Sequence, residues 1–430
     1  MLRSLFSGVS GLRIHQTKLD VIANNISNVN TVGFKRSVTT FNDVINQNLS
    51  GATRASEETG RGGTNPMQIG LGSNVSSINT VMTPGSAERT DGANDVMISG
   101  DGFFIVSDVT GFYFTRAGAF QLDEAGNLID SNGLRVCGWS TDENDQIQKG
   151  RVDGINLYEN NKSYLLPQVT DSISFSGNLN STTDPEKVST VTFYDSLGNR
   201  YTVNTKFTYD QASKSWNFSM ENTAMVNGNS KQTVEFTGLD AITFNLTFDD
   251  DGTLVNNTAG QDLQLSLAIT PDANFPFNST FADEITIDFS ELTQFNSTTN
   301  ASANNDNGYE AGSLKGYSIG SDGIITGQYT NGLTKTLGQI AIADFVNPSG
   351  LEKVGSNLYQ TTVNSGEFDG IGVEVGASGG EFIGGSLEMS NVDLSYEFTQ
   401  MITTQRGFQA NSRIISTSDE ILQELVNLKR

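Results

Sequence analysis

The chain has 430 residues but one cysteine, Cys137, and one histidine, His15. A lone cysteine makes no internal disulfide and no cysteine-rich zinc site. A lone histidine, set in an N-terminal helical pattern, excludes most histidine-based catalysis and metal binding. Proline is scarce: there are seven, with none before Pro66 or after Pro348, so both ends are free to form long helices. Positive charge is scarce too, with 25 Lys and Arg against 49 Asp and Glu. Residues 1–30 carry a net +2 and residues 390–430 a net −1, which leaves −25 for the middle. A middle that acidic repels nucleic acid and anionic membrane, so neither is expected as a partner. No stretch is apolar enough to cross a bilayer, so no membrane insertion is expected. Ser7, Gly8, Ser10 and Gly11 interrupt the apolar residues that follow Arg3, and no secretory cleavage site follows. These rules alone place the protein in the cytoplasm, unless export takes a different route.

Both ends carry a heptad pattern. Leu2, Leu5, Val9, Leu12, Leu19 and Ile26 share one register, with Gln16 and Ala23 in the remaining slots. Near the C-terminus the register is Leu394, Phe398, Met401, Gln405, Phe408, Ser412, Ile415, Asp419, Leu422, Val426. The first helix is expected from about Leu2 to Asn28, ending at the Asn/Gly-rich 28–33. The last is expected to be capped by Ser390 or Asn391, with Asp393 in its first turn. Two apolar seams of this length need apolar surface to cover them, and pairing with each other and with further copies supplies it.

The middle is rich in Gly, Asn, Ser and Thr and alternates as strands do. Residues 35–50 fit either a short helix or an extended segment, and 50–75 an extended arm. Asp123–Asn127 and Asp195–Asn199 are hairpin signals between apolar runs. Residues 295–308 have the composition of a linker. The expected fold is multidomain and mainly β, with nested β domains inserted between terminal helices that pair as a coiled-coil-like inner domain. The divisions are 1–29 with 390–430 for the helices and 30–92 with 376–389 for a linker and arm region. Residues 93–150 with 305–375 form an inner β domain, and 151–304 an inserted outer β domain. Glycines at Gly33, Gly379, Gly380, Gly384 and Gly385 crowd the joints and are the candidate hinges.

No chemistry-bearing motif survives inspection. Thr247–Thr258 has Asp249, Asp251 and Gly252 spaced as in a calcium loop, but its first and twelfth positions are threonine, so a β-turn is the better reading. Gly100-Asp101-Gly102 lacks the Lys-Ser/Thr of a phosphate loop. No carboxylate pair stands out for glycoside chemistry. Alternation sets Cys137 with Arg135 and Trp139 opposite Leu134 and Val136, which fits a structural thiol. His15 is read as a surface or interhelix residue. No cofactor, metal or enzymatic activity is expected.

Two long segments resemble a known family. Residues 23–35, AlaAsnAsnIleSerAsnValAsnThrValGlyPheLys, are similar to the N-terminal signature of bacterial flagellar rod, hook and hook-associated proteins. Residues 390–413, from SerAsnValAspLeuSer to AlaAsnSerArg, resemble their C-terminal signature. Ser99–Phe104, Phe114–Phe120, Asp322–Gly327 and Leu337–Phe345 resemble the shared inner β domain. The 150-odd residues inserted after it, including Val191–Asn199, are similar to the hook proteins rather than to the shorter distal rod proteins, which remain the alternative. A β-rich secreted adhesin and a carboxylate enzyme are the alternatives from other classes. The resemblance implies a structural subunit that polymerises into a curved, flexible tube, a universal joint carrying torque from rod to filament. The implied partners are further copies in a helical homopolymer, the distal rod, hook-cap and hook–filament junction proteins, and the flagellar type III export apparatus. It implies an extracellular location, reached without a cleaved signal peptide. The thirteen apolar seam residues, from Leu2 to Ile26 and Leu394 to Val426, are the expected assembly interface.

Overall fold

The computed structural model describes residues 2–54, 60, 62–142, 145–159, 162–182, 185–237, 243–255, 264–267, 270–271, 280–282 and 284–428. It divides into two compact units, and the chain passes between them after Tyr158, Tyr317, Thr326 and Lys335.

The first unit holds both termini. Helix α1 spans Leu2–Ser27 and helix α2 spans Leu394–Asn427. The Asp393 side chain caps α2, accepting from the amides of Ser395 and Tyr396 at 2.8 and 3.2 Å. This corrects the cap expected at Ser390 or Asn391. The Asn391 side chain is occupied elsewhere, accepting from Arg36 N and donating to the Val81 carbonyl. Residues 35–50 are extended. Ser37–Asp43 pairs antiparallel with Ser73–Thr80, and Asn46–Ser50 with Met67–Gly70. The β-branched run Val38-Thr39-Thr40 favours that outcome.

The inner β region of this unit is built on Phe103–Asp108, which pairs with Gly111–Thr115 on one side and Arg135–Ser140 on the other. Phe103, Phe114 and Phe345 meet edge to face, with centroids 4.8–5.9 Å apart, in a core shared with Cys137, Trp139 and Tyr359. Val136, Cys137 and Trp139 are all buried, so both faces of that strand are covered. The return path to α2 is paired: Glu381–Gly384 lies against Val96–Ser99, and Ser386–Glu388 against Ala87–Arg89.

The second unit is a β-structure with an aromatic core. Three long strands, Glu186–Tyr194, Arg200–Asp210 and Ser215–Val226, form an antiparallel meander. Ser172–Asn178 and Ile285–Thr293 pair in parallel in a second sheet. Phe175 and Phe289 from that sheet stack on each other and meet Phe218 of the meander at 5.2 and 5.0 Å. Residues 295–308, expected as a linker, are in part a strand: Ser302–Asn305 adds to the edge of Ser172–Asn178. The asparagines responsible for the linker-like composition hold the structure together, with Asn178 and Asn180 donating to the carbonyls of Phe295 and Ser297.

The hairpin signals share one geometry. Asp123 Oδ1 and Oδ2 accept from Asn127 N and Nδ2, both at 2.7 Å, and Asp195 does the same with Asn199 at 2.8 and 2.9 Å. In the calcium-like stretch, Asp249 and Thr253 close an ordinary turn, and residues 256–258 lie outside the described ones.

Candidate functional site: the helix pair and the clamp at its base

The two helices run antiparallel. Gly8 faces Asn411 and Ile415, His15 faces Gly407, Lys18 Nζ donates to Gln400 Oε1 at 2.9 Å, and Asn25 Nδ2 reaches Glu397 at 3.3 Å. At these levels a glycine on one helix makes room for a larger side chain from the other. A Cβ on Gly11 would sit 2.4 Å from Asn411 Nδ2, and one on Gly407 would sit 2.7 Å from His15 Nε2. His15 is therefore an interhelix residue, its pKa lowered first by burial and then by Lys18.

The residues buried between the helices are not the heptad seams. On α1 they are Gly8, Gly11, Ile14, Ile22 and Asn25; on α2 they are Glu397, Thr404 and Ser418. The expected seam lies to one side. Leu5, Leu12, Leu19, Ile26, Met401, Ile415 and Leu422 are half-buried, while Val9, Leu394, Phe398, Phe408 and Val426 are exposed. The Leu2 side chain lies outside the described ones. Phe6, Tyr396, Ile402, Ile414, Ile421 and Leu425 add to the outward apolar surface, with Phe6 70 % and Ile402 52 % exposed. Periodicity finds an apolar stripe but does not say what covers it. The intrachain contact is made mainly beside the stripe, where glycines receive larger side chains of the facing helix and Ile14 and Ile22 are buried.

At the base of the pair the chain is clamped. Asn25 takes both backbone groups of Ser37, donating to its carbonyl at 2.9 Å and accepting from its amide at 3.0 Å. Arg36 stacks over Tyr396 and approaches Glu397 at 3.8 Å. Burial raises the Glu397 pKa, and the Asn25, Arg36 and Lys18 side chains oppose the shift. Just beyond lies an ion triad with no solvent access. Lys35 Nζ meets Glu388 Oε1 at 2.5 Å, and Arg116 Nη1 lies 3.6 Å from Glu388 Oε2. Gly85 N also donates to Glu388 Oε1, Lys35 to the Thr83 carbonyl and Arg116 to the Gly100 carbonyl. Burial lowers the Lys35 pKa, with the Glu388 carboxylate opposing it.

The triad joins three distant segments, and composition does not reveal it. Its only sequence signal is a charged residue inside each of two family-like motifs, Lys35 ending the first and Arg116 within Phe114–Phe120.

The candidate hinge glycines are placed as follows. Gly33 is buried at φ +68°, donates to the Glu388 carbonyl at 2.7 Å, and a Cβ there would lie 2.8 Å from Arg116 C and Ala117 N. Gly380 leaves no room against the Ser99 carbonyl, and Gly384 and Gly385 lie in or beside paired strands. Gly379 is left-handed at φ +71°, exposed, and has nothing within 4 Å of a would-be Cβ. Cys137 is fully buried, and burial pushes its thiol up to about 11, the behaviour of a structural thiol. Among the described residues no group of His, Cys, Asp and Glu is arranged to hold a metal ion, and no helix is long and apolar enough to cross a membrane.

Four family models match: flagella basal body rod protein over residues 5–35, flagellar hook protein FlgE/F/G D1 domain over 97–176, flagellar basal body protein FlaE D2 domain over 163–309, and flagellar basal body rod FlgEFG protein C-terminal over 383–428. The chain is 38 % identical to the flagellar hook protein FlgE of Borreliella burgdorferi and 36 % identical to that of Treponema pallidum, each covering 100 % of both chains. It is 31 % identical to the flagellar basal-body rod protein FlgG of Bacillus subtilis over 100 % of both. A crystal structure of Helicobacter pylori flagellar hook protein FlgE2 is a looser likeness, with 12 % identity and a TM-score of 0.46 over 70 % of this chain and 98 % of that one. With terminal helices, a mainly β body and full-length hook proteins at 38 and 36 % identity, the chain belongs to the flagellar hook proteins, structural self-polymerising components of the bacterial flagellar hook and basal body.

Proposed function

We propose that the chain polymerises into the curved, flexible tube of the hook, a universal joint that passes torque from rod to filament. The carrying observation is the outward apolar surface of the helix pair, with Val9, Phe398, Ile402 and Val426 each about half exposed or more. Surface of that kind on a soluble helix pair calls for a partner. A second copy has the same near-neutral ends, so no charge repulsion opposes the contact. The thirteen seam residues are then assembly contacts between copies, and the contact between α1 and α2 fixes each subunit's own shape. The buried triad holds the helix base to the β region. Gly379, open and exposed, is the remaining hinge position, while the other four candidates act through pairing and close approach.

In this reading the further partners are the distal rod, hook-cap and hook–filament junction proteins. Export is through the type III apparatus, without a cleaved signal peptide, to an extracellular position. The protein has no catalytic role and needs no cofactor. Electron microscopy of the purified full chain tests the reading: tubes are expected, and a protein that stays monomeric at every concentration and salt contradicts it.

A further inference from the structure

We propose that the outer face of α1 in one copy packs antiparallel on the outer face of α2 in the next, joined by ion pairs from Arg13 to Glu420 and from Asp20 to Arg413. The inference rests on the polymer reading above and names the contact between neighbouring helix pairs and its register.

Each of these four charged residues stands two positions from a residue turned toward the facing helix. Gly11 and Asn411 meet each other, and Ile22 and Ser418 are buried on the same side. Two positions along an α-helix turn a side chain by ~200°, so Arg13, Asp20, Arg413 and Glu420 point away from the other helix of their own chain. All four are exposed. On α1 the outer stripe is continuous, with Phe6, Val9, Arg13, Gln16 and Asp20 exposed in turn at three- and four-residue spacing. Among the described residues none of the four charged side chains has an ion-pair partner in its own chain.

The spacing of the charges selects the register. The outer stripe of α1 carries Arg13 and then, two turns on, Asp20. The outer face of α2 carries Arg406, Arg413, Glu420 and Glu424, all exposed. Copies that point the same way along a polymer set α1 of one antiparallel to α2 of the next. In that direction one alignment makes two opposite-charge matches on these faces and no like-charge match: Arg13 level with Glu420, and Asp20 level with Arg413. Glu424, one turn further on, is also within reach of Arg13. Sliding by two turns sets Arg13 against Arg413 one way and Asp20 against Glu420 the other. Arg3 comes level with residue 430, but a quarter turn off the stripe. Within the chain Arg13 is level with residue 409, so the next copy is displaced by eleven residues, or ~16 Å. The contact uses a different surface on each copy, so it repeats from copy to copy, as the interfaces of helical polymers do.

The test uses full-length chains with reversed charges. Arg13→Glu alone and Glu420→Arg alone are each expected to raise the critical concentration for tubes by about five-fold or more at low ionic strength, where exposed charges are least screened. Their helicity by far-ultraviolet dichroism should match wild type. Mixed in equal amounts, the two variants should assemble together at close to the wild-type concentration, because α1 of each then meets an opposite charge on α2 of the other. A contact within one chain cannot give that rescue, since each chain carries only one reversal. Asp20→Arg with Arg413→Asp should behave in the same way. A single variant that forms tubes at the wild-type concentration overturns the inference, and so does a mixture no better than its components; both leave the hook reading standing. Rescue of Asp20→Arg by Arg406→Asp instead of Arg413→Asp would set the copies in another register and overturn it too. If the wild-type chain forms no tubes at all, the hook reading fails first and the inference with it.

Discussion

The second unit and the helix pair bury opposite kinds of residue. The unit's interior is aromatic, with Trp216, Tyr201, Phe175, Phe207, Phe218 and Phe289 all sealed from solvent. The helix pair buries glycine, threonine, serine, asparagine and glutamate beside Ile14 and Ile22, and shows its phenylalanines and most isoleucines of α2. One region has spent its apolar surface on itself. The other keeps that surface outward, where the proposed function assigns it to contacts between copies.

Trp216→Ala should break only the first of these regions. Truncating a fully buried tryptophan costs about 3–5 kcal/mol. Thermal unfolding followed by far-ultraviolet dichroism should show the β transition lowered and the helical signal unchanged; loss of both together would mean that the two regions do not fold separately.

Glu388→Ala strikes the base of the helix pair. It leaves Lys35 and Arg116 buried without their carboxylate, at a cost of about 3–5 kcal/mol. Replacing all three by apolar residues of similar size should restore most of that stability in denaturant unfolding. If the triple variant is as unstable as the single one, the triad contributes more than charge balance.

Gly11→Leu is predicted to separate the helices, since a leucine there must displace the Asn411 side-chain amide and then fit against the facing helix, and overpacking of this kind costs about 1–3 kcal/mol. Hydrogen exchange should quicken in α1 and α2 and stay unchanged in the second unit. Protection retained in both helices would contradict the close approach.

The smallest effect expected is a pH dependence. Burial raises the Glu397 pKa above its usual value. A carboxyl shifted in that direction contributes stability below its ordinary pKa, and the contribution is lost as pH rises through the shifted value. Helix-pair stability should therefore rise slightly as pH falls toward the ordinary glutamate range, and Glu397→Gln should flatten that slope. The Asp123 turn runs the other way. Its pKa is lowered by Asn127, so its contribution is present above the ordinary aspartate range and is lost only in stronger acid.

Much of this architecture can be read from the sequence, because its signals are local. Proline-free heptads mark the two helices, and Asp-x-x-Gly-Asn marks the turns at 123–127 and 195–199. Two kinds of feature are not legible. Asn- and Ser-rich segments look alike whether they are solvated or hydrogen-bonded, so residues 295–308 resemble a linker although Asn178 and Asn180 fix them. Long-range contacts between small or charged groups leave no periodic trace. The Gly11–Asn411 and His15–Gly407 contacts and the Lys35–Glu388–Arg116 triad emerge only when residues far apart in sequence are seen together. Glycine is ambiguous for the same reason: Gly33 looks like a joint, but its φ and its closeness to Arg116 show a clamp.

The central claim is that the outward apolar faces of the helices belong to the polymer and not to the monomer. Phe398→Ser with Ile402→Ser tests it most directly, because both side chains are about half exposed in the single chain. Unfolding stability of the monomer should stay within about 0.5 kcal/mol per site of wild type, as for ordinary surface positions. Sedimentation and electron microscopy of the same sample should show tube formation lost. Tubes at wild-type yield, or a monomer that unfolds, would contradict the account.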